Sequence, residues 1–368
     1  MKTILVDFSS LNDLCGFGEI ARNFAPRLAA THEPDLHFVF VVPTDCIGRF
    51  GSHIDYLDRH QLRRQLKAYP NAIDLWHATD QQFRYRRHAR GTLQLLTVHD
   101  LNYLYEKKGI HLWRHQLEMP WLIWRSDFIT TISNHVKTEI ERHIPLLNKE
   151  PLVIYNGIAD LSDKPQRRPS FIDSGSTVAN TETASQSSSD FQPFFFTIGQ
   201  VRRKKNFHTL VPMMKHFPHH RLFICGDNHW PYADEIRALI APEDRDRIVL
   251  TGMISDEEKL WLYAHCDAFL FPSTLEGFGI PVLEAMRFGA RVVSSRHTCL
   301  PEVCACHAAY WSSSDPEHMA DVVRKAINGW DRQSAQAAAA REHSLQFNYD
   351  RYTKQYVQLY CRLLGISR

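Results

Sequence analysis

The chain has 368 residues, 44% of them hydrophobic and 23% charged, with a formal net charge of +2. That balance suits a globular protein with room for two domains, and it gives no strong electrostatic footprint for nucleic acid. No apolar run approaches the ~18 residues of a membrane span. The eight cysteines are scattered, which fits a reducing cytoplasm better than a disulfide scaffold.

The opening MKTILVDFSS turns acidic too soon for a signal peptide and reads as a first strand over Thr3 to Phe8. Gly16-Phe-Gly18 follows, just ahead of the helical spacing Ile20, Phe24, Leu28. Strand, glycine turn and helix make a Rossmann-like opening. The full G-x-G-x-x-G is missing, as is an acidic residue about 20 positions on, so a dinucleotide site is not expected. Leu36 to Val42, Asp74 to His77 and Leu93 to Val98 read as further parallel strands. The last of these ends in His99-Asp100, at the strand terminus where α/β sheets place ligands.

Two basic groups, Arg63-Arg64 with Lys67 and Arg84 to His88, precede Trp113, Trp121 and Trp124 with Arg114 and Arg125. These residues form either solvated helix faces or an interfacial patch for anionic lipid headgroups. Phe128 to Ile132 is a strand, and Ser133 is placed to cap a helix over Val136 to Arg142. Leu152 to Tyr155 leads into the turn Asn156-Gly157. From residue 161 to 192 the chain is rich in Ser, Thr, Asp and Pro and reads as a flexible linker or insertion.

Phe194 to Ile198 opens a second domain, and Gly199-Gln-Val-Arg-Arg-Lys-Lys-Asn206 follows it as an anion-binding loop. Arg221 to Cys225 and Ile248 to Thr251 are strands that end at Gly226 and Gly252. Asp244-Arg-Asp246 has the D-x-D form of a metal motif but sits in a polar turn, so it reads as turn chemistry. Cys299, Cys304, Cys306 and His307 match no standard zinc spacing and read as small thiols near a turn. The final helical stripe, Phe347 to Leu364, carries Tyr349, Tyr352, Tyr356 and Tyr360.

The densest signal is Phe271 to Val303. A buried strand, Ala268 to Phe271, leads into Pro272-Ser273 and then Glu276-Gly277-Phe278-Gly279-Ile280, and a helix begins at Pro281. Free amides and the positive end of the helix dipole converge there, which favours a phosphate. Glu276 and Glu284 beside it suit sugar or ribose hydroxyls.

The E-x7-E between Pro272-Ser273 and Leu300-Pro301-Glu302-Val303 closely resembles the signature of retaining glycosyltransferase family 4. The resemblance implies a GT-B fold, two Rossmann-like domains facing an interdomain cleft. The expected boundaries are 1–160 for the acceptor domain, 193–345 for the nucleotide-sugar domain, and 346–368 for a helix returning to the first. It further implies donor binding by Gly16, Gly18, Gly199, Arg203, Lys204, Lys205, Gly252, Glu276, Gly277, Phe278, Gly279, Ile280 and Glu284, with His99, Glu276 and Lys205 catalytic. Gln200 departs from the Arg that many members carry there, leaving Arg202, Arg203 or Lys204 to supply the second cation. No cofactor and no metal are expected.

The variants T-V-H-D-L and K-K-N resemble bacterial surface-polysaccharide mannosyltransferases. They imply GDP-mannose as donor and a lipid-linked oligosaccharide or polysaccharide precursor as acceptor. The protein is expected in the cytoplasm, with peripheral contact at the inner membrane face. A sugar-nucleotide epimerase of the same fold and an inactive nucleotide-sugar-binding scaffold are the competing readings.

Overall fold

A computed structural model describes residues 1–13, 16–81, 91–161, 163–173 and 191–366. The basic group Arg84 to His88 lies outside the described residues. The strands are β1 (Lys2–Asp7), β2 (Leu36–Val42), β3 (Asp55–Asp58), β4 (Leu75–Ala78), β5 (Leu93–Val98), β6 (Phe128–Thr131), β7 (Leu152–Val153), β8 (Phe194–Ile198), β9 (Arg221–Cys225), β10 (Ile248–Gly252), β11 (Ala268–Phe271), β12 (Val292–Ser295) and β13 (Ala309–Trp311). The helices are α1 (Gly16–Ala29), α2 (Leu62–Ala68), α3 (Tyr103–Glu106), α4 (Gly109–Arg125), α5 (Asn134–His143), α6 (Leu210–Met213), α7 (Pro231–Leu239), α8 (Asp256–His265), α9 (Ile280–Arg287), α10 (Leu300–Cys304), α11 (Pro316–Ile327), α12 (Ala335–Leu345) and α13 (Tyr349–Leu363).

The chain divides into two units. Unit 1 holds Met1–Ala159 and Phe347–Arg368, and unit 2 holds Asp160–Gln346. The sheet of unit 1 has the order β3-β2-β1-β4-β5-β6-β7, and every neighbouring pair is parallel. Strand order therefore reverses between β1 and β4, and the carboxyl ends there open a crevice, the usual ligand position in such sheets. The sheet of unit 2, β10-β9-β8-β11-β12-β13, is also parallel and reverses between β8 and β11. Runs such as LHFVFVV and FFFTI are buried almost throughout, as strands covered on both faces must be.

Helix α13 completes the core of unit 1. Tyr352, Tyr356 and Tyr360 are fully buried among Phe24, Phe38 and Phe40. The hydroxyls of Tyr356 and Tyr360 are hydrogen-bonded in that apolar setting. The Tyr360 hydroxyl lies 2.6 Å from His77 Nδ1, and His77 Nε2 lies 2.8 Å from Thr97 Oγ1. The Tyr356 hydroxyl lies 2.9 Å from Thr97 Oγ1 and 3.1 Å from Thr130 Oγ1. Burial keeps His77 neutral, with its pKa lowered to about 3.

The sequence pattern did not indicate β3, β12 or β13, each of which has only three or four residues. Composition marks 161–192 as linker, yet residues 163–173 pack on unit 2. The Ile172 side chain is buried, and its carbonyl accepts from the Arg221 guanidinium at 2.8 Å. The Arg167 amide donates to Glu257 O, and Phe191 packs against Trp261. Three core-forming residues, Phe171, Ile172 and Phe191, are enough to anchor both ends of a segment whose average composition is polar.

Candidate functional site

In unit 2 three glycine loops stitch together the carboxyl ends of β8, β9 and β10. The Gly199 amide donates to Cys225 O, and the Gly226 amide donates to Gly252 O at 2.8 Å. Gly226 has φ of 122°, and a Cβ there would meet Gly199 O at 2.1 Å, so no side chain fits. Gly199 and Gly252 also have positive φ. The loop after β8 then makes a tight turn over Arg203–Lys205 and passes through a left-handed Asn206.

That turn is fastened to the loop after β11. Lys204 O accepts from the Thr274 amide at 2.8 Å and from the Ser273 and Thr274 hydroxyls at 3.1 Å. The zipper sets Lys205 Nζ 2.6 Å from Glu276 Oε1, with both side chains about seven-eighths buried. The structure thus joins two residues that the sequence marks separately, across the reversal point of the sheet. The Glu276 amide donates to Thr298 Oγ1 at 3.2 Å, which holds the loop in place.

Gly277 and Phe278 continue to Gly279, which caps α9 in a left-handed conformation with φ of 93°. A Cβ on Gly279 would strike Leu300 Cδ2 at 2.8 Å. Phe278 is buried, so its backbone is what it can offer a ligand. Ile280 begins α9, and Glu284 follows one turn later. Glu284 is only 4% exposed, and its oxygens accept from Lys259 Nζ at 3.1 Å and Tyr263 OH at 3.0 Å. Both donors come from α8, and neither was singled out in the sequence, because a Lys and a Tyr four apart on a helix look like ordinary amphipathic spacing.

The other cations divide differently. Arg203 pairs with Glu235 at 2.5 Å and lies over Tyr232, and the Arg202 guanidinium stacks 3.8 Å from the Trp230 ring centroid. Both are directed toward α7 and the residue before it. The structure therefore does not bring the Arg203 guanidinium to the Lys205–Glu276 pair, and Lys204 contributes its carbonyl as the loop anchor.

In unit 1 Gly16 is the first residue of α1, so the glycine pair lies inside the first turn, not ahead of it. A Cβ at Gly18 would collide with Asp13 O at 2.0 Å, whereas Gly16 faces open space. Arg22 ties the preceding loop down by donating to Leu11 O and Asp13 O. His99 stands at the end of β5, 5% exposed. Its Nε2 lies 2.8 Å from Thr79 O, and a carbonyl can only accept, so the proton is on Nε2. Burial lowers its pKa, which leaves a neutral ring with Nδ1 as an acceptor. The edge of Phe17 packs on that ring at 4.8 Å. Asp100 caps the local turn by accepting from the Asn102 amide.

Asp7, at the end of β1, was not selected in the sequence. Burial pushes its pKa up to about 6 despite bonds from the Ser9 amide and hydroxyl. A lone carboxylate closing the apolar run ILVD was the available signal, by the same logic that picked out His99. Asp244 accepts from Arg247 Nε at 2.6 Å within its turn. Cys299 and Cys304 are buried, and His307 stacks on His343. Among the described residues no three His, Cys, Asp or Glu side chains are grouped as a metal site.

The profile of the glycosyl transferases group 1 family matches residues 179–343. That match lies within unit 2, and the matched stretch holds the Lys205–Glu276 pair and the α9 terminus. Over 124 residues, 34% of this chain, the sequence is 34% identical to the serotype-specific mannosyltransferase WbdA of Escherichia coli, covering 15% of that protein. It is 23% identical over 235 residues to the O-antigen chain mannosyltransferase RfbU of Salmonella typhimurium, spanning 63% of this chain and 60% of RfbU. Among solved structures, sucrose-phosphate synthase from Thermosynechococcus elongatus aligns over the whole of both chains with a TM-score of 0.69 at 18% identity. Anabaena HepE in complex with UDP-glucose aligns with a TM-score of 0.69 at 16% identity, over 98% of this chain and all of HepE. The fold class is GT-B.

Proposed function

We propose that this chain is a retaining glycosyltransferase that moves a sugar from a nucleoside-diphosphate donor to a hydroxyl of a lipid-linked oligosaccharide or surface-polysaccharide precursor. The donor read here is GDP-mannose. The observation that carries the proposal is the Lys205–Glu276 pair at the reversal point of a parallel sheet, next to the N-terminus of α9. The mannosyltransferase names of WbdA and RfbU support the choice of sugar.

As the bond from the anomeric carbon to the phosphate oxygen breaks, negative charge collects on the leaving diphosphate. Lys205 and the amides from Gly277 to Ile280 would stabilise it by fixed electrostatics. Glu276, released from sole pairing with Lys205, would accept from sugar hydroxyls, and Glu284 from the ribose. A neutral His99 offers Nδ1 as a further hydroxyl acceptor. The acceptor hydroxyl attacks from the face the diphosphate leaves, and a phosphate oxygen takes its proton. This scheme needs no metal.

Calorimetric titration of the protein with GDP and, separately, UDP in the presence of EDTA tests the reading. Binding of GDP alone, followed by mannose transfer from GDP-mannose, is the expected outcome. Binding of UDP alone would overturn the donor assignment. A nucleotide product formed without any acceptor dependence would favour the epimerase.

A further inference from the structure

Among the described residues, seven of the fifteen exposed large hydrophobics fall between Tyr105 and Phe128. Five of them lie on α4: Ile110, Trp113, Leu117, Trp121 and Trp124, exposed by 74, 63, 55, 39 and 46%. Their spacing of three, four, four and three residues confines them to roughly 80° of arc at about 100° per residue. The opposite side of α4 is already satisfied, because Met119, Leu122 and Ile123 are buried in unit 1. The helix therefore has two apolar faces; one is packed in unit 1, and the outer one is tied back at Trp124, whose Nε1 donates to Pro145 O at 2.7 Å.

Such a stripe requires an explanation, since isolated exposed apolar residues are ordinary but a contiguous patch on a helix is not. Its composition points to a lipid surface. Three of the five residues are Trp, the side chain that settles at the headgroup boundary. Cations flank the stripe: exposed Lys107 and Lys108 precede the helix, Arg114 lies along one edge, and the Arg125 guanidinium sits 5.0 Å above the Trp121 ring. From Tyr105 to Arg125 the chain carries four Lys or Arg against two Glu. Two copies of this face meeting each other would bring those like charges together, whereas anionic headgroups would neutralise them. No described helix is long and apolar enough to cross a membrane, so α4 would lie in the interface and not span it.

We propose that α4 docks this chain on an anionic lipid surface, with Ile110, Trp113, Leu117, Trp121 and Trp124 entering the headgroup boundary. The inference concerns the surface of unit 1 and holds whether or not the transfer reaction is as proposed.

The test is co-sedimentation of the full chain, without nucleotide, with vesicles of phosphatidylcholine alone or mixed with phosphatidylglycerol. Binding to the mixed vesicles should exceed binding to the neutral ones and weaken as salt is raised. A double substitution, Trp113→Ser with Leu117→Ser, should weaken it by about tenfold or more. Both side chains are solvent-facing, so the far-ultraviolet circular dichroism spectrum should not change, and turnover on a water-soluble acceptor should be retained. Failure of the wild type to sediment with either vesicle would overturn the proposal, as would equal binding to both. It would also be overturned if the same substitutions abolished self-association in sedimentation velocity while vesicles were ignored, since a second copy would then be the occupant.

Discussion

Removing Lys205 tests two properties of one contact. At 2.6 Å and an effective dielectric near 20, its attraction to Glu276 is about 6 kcal/mol before desolvation. With both side chains about seven-eighths buried, much of that is offset by lost hydration, and a net coupling of about 2 kcal/mol remains. Lys205→Ala and Glu276→Ala should each destabilise unit 2 by about 2 kcal/mol, because each leaves a poorly hydrated opposite charge. The double variant should lose less than the sum, by about that coupling. For a domain of this size each kcal/mol is about 2–4 °C in melting temperature, which differential scanning fluorimetry resolves. Turnover responds separately. If Lys205 stabilises the leaving diphosphate with about 3 kcal/mol, Lys205→Ala lowers kcat about a hundredfold with the fold retained. A kcat loss below threefold would remove Lys205 from the reaction. Strict additivity in the stability cycle would refute the pairing itself.

Four other expectations follow from unit 1. His77 is neutral when folded and takes a proton near pH 6.5 when unfolded, so the unfolded chain binds more protons between about 3 and 6.5, and stability falls on acidification by about 1.4 kcal/mol per pH unit. Asp7 acts oppositely between its ordinary value and about 6, so Asp7→Asn should stabilise the protein at pH 7 and steepen the acid loss below pH 6 in urea titrations. Tyr360→Phe removes the hydrogen-bond partner of buried His77 Nδ1 and should cost about 1–3 kcal/mol by the same urea assay. Gly18→Ala should open the β1–α1 region to hydrogen exchange, while Gly16→Ala, which meets nothing within 4 Å, should leave exchange unchanged; reversal of that order would refute the close approach of Gly18 to Asp13 O.

The sheet strands were legible where they are long and buried. LHFVFVV and LQLLTV have no alternation to confuse, so β2 and β5 fall at the residues the pattern gives. The short strands VVSS and AYW carry too few apolar residues to stand out from a turn, and only pairing with a neighbour makes them strands. Glu276 and Lys205 were legible as candidate site residues because loops after strands of a parallel sheet concentrate ligand chemistry. Their contact was not, since it depends on hydrogen bonds from Ser273 and Thr274 to Lys204 O, across about 70 residues of chain. The three tryptophans of α4 were visible in the sequence, but Ile110 and Leu117 joined them only once one face of the helix was seen to be buried.

The return of α13 to unit 1 has a consequence for biosynthesis. His77 waits for Tyr360, 283 positions later in the chain. During translation all of unit 2 emerges before the helix that closes unit 1, so the first unit to begin is the last to be finished. Until α13 arrives, Phe24, Phe38 and Phe40 lack the three tyrosines that cover them. The nascent chain is therefore exposed to aggregation in its amino-terminal half for most of its synthesis, and a stop codon near residue 346 would harm the distant first unit while sparing the adjacent second.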